Sequence, residues 1–110
     1  MKLSEKQQIF TVNISHLIQY AQRIEIYLTF GHAWRSIEEQ KRLKSKGLSK
    51  TLNSKHLERL AVDFNFFIDG KLTYDKNKLQ ILGDYWESLH KNNQWGGNWS
   101  FVDTPHFEMS

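Results

Sequence analysis

One carboxylate constrains this chain more than any other residue. Asp63 stands inside the most apolar run of the sequence, Leu60-Ala61-Val62-Asp63-Phe64-Asn65-Phe66-Phe67-Ile68. The run is rich in β-branched and aromatic residues and reads as a strand, closed by Asp69-Gly70, a hairpin-type turn pair. Burying an unpaired carboxylate there costs several kcal/mol or forces it neutral. A cationic partner removes the difficulty, and a metal ion does so best. The chain has no cysteine, so such a site must be built from His, Asp or Glu.

The candidate partners are two histidines. His56 precedes Asp63 by seven residues. In one regular strand that odd spacing puts the two on opposite faces, so they share a metal only if the backbone turns between them. Leu57-Glu58-Arg59 is the place for that turn. Near the end of the chain, Asp103-Thr104-Pro105-His106 offers a second imidazole and a second carboxylate. Pro105 biases Thr104 toward an extended backbone, which suits His106 on the metal and Asp103 turned toward metal-bound water as a general base. Two imidazoles and one carboxylate (His56, Asp63 and His106) make a set of the kind a catalytic zinc uses, with one position left open.

The remaining chain reads as α+β. Residues 4–22 carry Phe10, Ile14, Leu17, Ile18 and Ala21 at helical spacing, with Ser4 as the expected cap and His16 beside the stripe as a surface or core-edge residue rather than a ligand. Ile24 to Phe30 alternates as a half-buried strand ending at Gly31. Ser36-Ile37-Glu38-Glu39 is a capping box opening a second helix, Ile37 to Lys46, with Gly47 as its stop. Arg35, just before that cap, is either a surface arginine or a cation positioned to meet a substrate oxygen. Leu48 to Lys55 is polar and aperiodic, a loop. After the Asp69-Gly70 turn, Lys71 to Tyr74 can pair back. Asp75 then starts a helix through about Lys91, burying Leu79, Leu82, Tyr85, Trp86 and Leu89, with His90 as a cation at its end. A turn at Gln94–Trp99 and a short strand from Pro105 to Met109 complete about three helices against a small, largely antiparallel sheet.

A chain of 110 residues is expected to form a single domain, residues 1–110. The sequence opens on charged residues and holds no window of about 18 apolar residues, so the expectation is cytoplasmic synthesis with neither a signal peptide nor a membrane span. Net charge is +3, compatible with an anionic polymer as partner. Lys41, Arg42, Lys44, Lys46 and Lys50 fall in one basic stretch, read as a solvated helix face and loop. A nucleic-acid binder built on that stretch would show affinity falling steeply with salt, and no nucleic-acid motif supports it.

The residues already named carry a resemblance. Ser54-Lys55-His56, Ala61-Val62-Asp63 and Asp103-Thr104-Pro105-His106-Phe107 resemble, in order and spacing, the M15 family of zinc peptidases. That family includes D-alanyl-D-alanine carboxypeptidases and endolysins that cut L-alanyl-D-glutamate bonds. The likeness extends to Trp34-Arg35-Ser36, Glu39-Gln40 and Trp95-Gly96-Gly97, over roughly residues 25–108. It implies the M15, hedgehog-like fold, Zn2+ on His56, Asp63 and His106, and Asp103 as general base. It further implies Arg35 as a transition-state cation and Ser54 as a substrate contact. The family usually has glycine three residues after the first histidine; here that residue is Arg59. An aspartate at 103, where the dipeptidase branch has glutamate, is similar to the endolysin side. The implied function is hydrolysis of a peptidoglycan stem-peptide bond, with L-Ala–D-Glu favoured, by a monomeric enzyme reaching the wall after holin-type release. The alternatives are a D-alanyl-D-alanine carboxypeptidase and a non-catalytic zinc-containing wall-binding domain.

Overall fold

The computed structural model describes residues 1–34, 36–47 and 54–110. Among them lie three helices, α1 (Leu3–Arg23), α2 (Ile37–Ser45) and α3 (Lys76–Leu89). Five strands accompany them: β1 (Tyr27–Phe30), β2 (Ala61–Ile68), β3 (Lys71–Thr73), β4 (Asn93–Trp95) and β5 (His106–Met109). All recorded pairings are antiparallel, in the order β1-β2-β5-β4, with β3 also on β2. The α+β arrangement expected from the sequence is the one observed.

Strand alternation divides β2 into two faces. Val62, Phe64 and Phe66 are buried beneath the helices, while Asp63, Asn65 and Phe67 on the opposite face are only partly covered. Below the sheet, Phe10, Ile14, Leu17 and Ala21 of α1 join Leu79, Leu82 and Trp86 of α3 against Phe64, Phe66, Phe107 and Met109. Trp86 packs edge-on to Phe10 and Phe107, with ring centroids 5.5 and 5.9 Å away. Its Nε1 donates to the carbonyls of Gln94 and Glu108 at 3.2 and 3.1 Å, fastening α3 to β4 and β5. Each large apolar side chain buried here contributes about 1.5–3 kcal/mol. α1 and α3 thus hold one face of the sheet shut and leave the other for chemistry.

Local signals account for the boundaries. The Ser36 hydroxyl accepts the Glu39 N–H at 3.1 Å, as the capping box predicts, and Gly47 follows α2 at φ +72°. Asp75 caps α3 through Asn77 N–H at 2.9 Å. Asp69 and Gly70 both take positive φ, +52° and +76°, which suits the tight β2–β3 hairpin.

Several expectations need correction. α1 is capped at Lys2 with no side-chain bond, so Ser4 lies inside the helix. The strand expected from Ile24 begins only at Tyr27. Glu25, at φ +64°, sits in a helix-ending turn where Ile26 N–H reaches the Ala21 carbonyl at 2.9 Å and Glu25 N–H that of Gln22 at 3.1 Å. His90 takes an extended backbone just past α3, and its Nδ1 accepts the Asn92 N–H at 3.0 Å. The loop expected at Leu48–Lys55 lies outside the described residues up to 53, and Lys55 already belongs to a 3-10 turn. Asp103 to His106 is not extended but a tight turn, closed by His106 N–H on the Asp103 carbonyl at 3.1 Å. Its short closure lets β5 start at His106 rather than Pro105.

Candidate metal centre

The open face of the sheet brings His56, Asp63 and His106 together. Asp63 on β2 is the register partner of His106 on β5, so the pleat places both side chains on one face. His56 arrives from a 3-10 turn, Lys55–Glu58, whose start is capped by the Ser54 hydroxyl accepting the His56 N–H at 3.1 Å. The backbone break required by the odd spacing is made at Arg59, which adopts the left-handed conformation at φ +56°, ψ +35°. That is the conformation glycine reaches without steric cost. Arginine meets it instead, with its guanidinium over the Trp34 ring at 5.1 Å from the centroid.

The three ligand atoms lie within 4.8 Å of one another. His56 Nε2 is 3.3 Å and His106 Nδ1 3.1 Å from the same Asp63 oxygen, Oδ1. Each ring's other nitrogen is engaged away from that point. His56 Nδ1 faces the Ala33 carbonyl at 3.3 Å, and His106 Nε2 faces Glu108 Oε1 at 2.8 Å. Such outer partners orient each ring so that its inward nitrogen, once free of a proton, can offer its lone pair to a metal. The imidazoles are almost fully buried while Asp63 keeps a 21% exposed side chain, so the centre opens to solvent at the carboxylate.

Electrostatics agrees with a cation-ready site. Burial alone would push the Asp63 carboxyl up, yet hydrogen bonds to His106 and His56 and their charge hold it well below the usual carboxylate range. Burial likewise pushes His106 down, but hydrogen bonds and charge from Asp63 and Glu108 outweigh it and raise it to about 9. The anionic surroundings favour positive charge where a metal ion would supply it. Two nitrogens, one carboxylate oxygen and a solvent-facing side fit zinc with an open position.

The Trp95-Gly96-Gly97 segment positions the turn that carries Asp103 and His106. Trp95 is fully buried and donates from Nε1 to the Thr104 carbonyl at 2.9 Å. Gly96 accepts the Asp103 N–H at 2.9 Å. A Cβ on Gly96 would stand 2.4 Å from the Asp103 carbonyl oxygen, 3.0 Å from Asp103 Cβ and 3.1 Å from His106 Cβ. Only a residue without a side chain lets Asp103 and His106 crowd together here. The Trp99 ring then packs on His106 at 5.1 Å.

Of the residues singled out in the sequence, the fold assembles His56, Asp63 and His106, and seats Asp103 half-buried beside His106. Ser54 lies at the cap under His56. Arg35 and Lys50 lie outside the described residues. Arg42 pairs with Glu39, Nε to Oε2 at 2.8 Å, as a solvated face would have it. Glu108 was not anticipated. The available signal was its position two residues after His106 on a strand, which places both on the same face.

The sequence matches the M15 peptidase family described as D-alanyl-D-alanine carboxypeptidase over residues 47–109. No curated protein sequence matches the chain. Among solved structures, the fold is similar to the L-Ala D-Glu endopeptidase ChiX of Serratia marcescens. The TM-score is 0.73 at 23% identity, covering 97% of this chain and 85% of that one. It is also similar to the vancomycin-resistance D,D-pentapeptidase VanY, an E175A mutant from the VanB-type cassette in complex with Zn(II). There the TM-score is 0.64 at 16% identity, covering 91% of this chain and 70% of that one. With the family model matched over more than half of this chain and a His-Asp-His centre fit for the metal, the chain belongs to the M15 family and is a zinc metallopeptidase acting on peptidoglycan.

Proposed function

We propose that the protein is an endopeptidase that hydrolyses the L-Ala–D-Glu bond of peptidoglycan stem peptides. In this reading His56 Nε2, His106 Nδ1 and Asp63 hold zinc, and Asp103 is the general base. The observation that carries it is the convergence of both imidazoles on Asp63 Oδ1 while Ala33 and Glu108 anchor their far nitrogens. Zinc, when bound, supplies Lewis acidity that polarises the attacked carbonyl and acidifies water. Asp103 takes the proton of the attacking water as the new C–O bond forms, then delivers it to the leaving nitrogen as the C–N bond breaks. Arg35 is assigned to the oxyanion that develops on the carbonyl, and Ser54 to contact with the substrate.

The choice of bond is supported by aspartate rather than glutamate at 103, the endolysin-like variant. The same likeness supports an endolysin role, with access to the wall by holin-type release. A second reading, removal of terminal D-Ala, is supported by the description of the matched family. Digestion of purified sacculi, followed by mass spectrometry of the released fragments, separates the two. Metal-dependent products with a new N-terminal D-Glu, lost in Asp103→Ala, are expected. Free D-Ala alone would assign the carboxypeptidase. Zinc binding with no released product would leave a wall-binding domain.

A further inference from the structure

The open sheet face does not end at the metal centre. Asn65 follows Asp63 by two residues on β2, on the same face and about 6.7 Å further along. Tyr74, just after β3, donates its hydroxyl to Asn65 Oδ1 at 2.6 Å. That bond fixes the amide and leaves the Nδ2 donors without a partner among the described residues. The same Tyr74 accepts Thr104 Oγ1–H on its backbone carbonyl at 2.9 Å. Thr104 is buried between Asp103 and Pro105, and its own carbonyl takes Trp95 Nε1 at 2.9 Å. Asn65 is thereby tied through Tyr74 to the turn that carries the base.

We propose that Asn65, held by Tyr74, recognises a free carboxylate on the carbon bearing the leaving nitrogen of the substrate. The inference rests on the peptidase reading above and does not depend on which bond is cut. In stem peptides D-Glu continues the chain through its γ-carboxyl, so its α-carboxylate stays free beside the L-Ala–D-Glu amide. A terminal D-Ala offers a carboxylate at the same place. An ordinary α-linked peptide has an amide carbonyl there. The carboxylate lies only three bonds from the attacked carbonyl carbon, a reach compatible with neighbouring same-face positions on one strand. A neutral amide also suits the location. Lysine or arginine at 65 would pair with Asp63 and compete with the metal for that ligand, whereas Asn65 donates without doing so.

The test uses two substrate pairs. One is L-Ala-γ-D-Glu-L-Lys-D-Ala and its analogue with 4-aminobutyrate in place of D-Glu, which lacks only the α-carboxylate. The other is an N-acylated D-Ala-D-Ala and its C-terminal amide. Hydrolysis and calorimetric affinity are measured for the wild type, Asn65→Ala, Asn65→Asp and Tyr74→Phe, with zinc content and melting temperature as controls. The wild type is expected to prefer the carboxylate member of whichever pair it cleaves by roughly ten- to hundredfold, the range for hydrogen bonds to a charged group. Asn65→Ala should abolish that preference mainly through KM, with zinc content unchanged. Asn65→Asp, which still accepts from Tyr74 but repels a carboxylate, should fall below Asn65→Ala on the carboxylate member. Tyr74→Phe should lose part of the preference. Retention of the full preference in Asn65→Ala, or in Asn65→Asp, would overturn the proposal. If the wild type cleaves neither pair, the peptidase reading fails, and the affinities still decide whether Asn65 distinguishes carboxylate from its analogue.

Discussion

His106 shows how much of a metal ligand's behaviour is set by its neighbours. Its Nδ1 points at Asp63 Oδ1 because Glu108 Oε1, 2.8 Å from Nε2, fixes the ring from behind. Glu108→Ala is therefore expected to weaken zinc binding by about 10- to 100-fold while the fold is kept, as measured by competition with a chromogenic chelator. No loss of affinity would remove Glu108 from the site. Arg59 raises a separate residue-scale question, because a left-handed backbone costs a side chain about 1–2 kcal/mol. Arg59→Gly and Arg59→Ala both lose the contact with Trp34, but only glycine relieves that backbone. Chemical denaturation should thus find Arg59→Gly more stable than Arg59→Ala by about 1 kcal/mol. Equal stabilities would mean that the turn relaxes.

At the scale of elements, the site depends on a short segment that carries no ligand. Gly96 lets the Asp103 carbonyl, Asp103 Cβ and His106 Cβ crowd where a side chain would stand. Gly96→Ala should displace the turn and reduce peptidase activity by about 100-fold, the usual cost of a misplacement near 1 Å, with far-UV circular dichroism unchanged. Near-wild-type activity would show that the turn yields without loss. The elements themselves were largely legible in the sequence. The Ser36 capping box, the Asp75 cap, the Asp69-Gly70 hairpin and the apolar stripes of α1 and α3 are local signals, and each lies where its residues indicate. What was not legible was decided by the chain's neighbours. Ile24 to Ile26 alternates like a strand but is drawn into the end of α1, because Glu25 takes a positive φ and Ile26 is buried. Asp103 to His106 closes into a turn held by Gly96 and Trp95, partners that no spacing rule connects to it. The candidate ligands could be read because a buried aspartate demands a cation. Their convergence required the sheet register that sets His106 opposite Asp63.

The whole molecule couples folding, protons and metal through one cluster. His106, raised from 6.5 to about 9, stabilises the metal-free fold fully below pH 6.5, and that contribution is lost as pH rises through 9. Asp63, depressed from its ordinary 3.8, contributes above that value and loses its contribution as pH falls well below it. The metal-free protein should therefore melt highest between about pH 4 and 6.5. Zinc needs the His106 nitrogen free of its proton, so apparent zinc affinity should rise about tenfold per pH unit as pH climbs toward 9 and level off above it. An affinity independent of pH would place the metal elsewhere. The most direct test of the metal centre itself is native mass spectrometry of the protein equilibrated with zinc. One zinc per chain is expected for the wild type and for Asp103→Asn, and none for His56→Ala, Asp63→Ala or His106→Ala. A wild-type protein that binds no zinc, or a variant lacking all three ligands that still holds it tightly, would contradict the account.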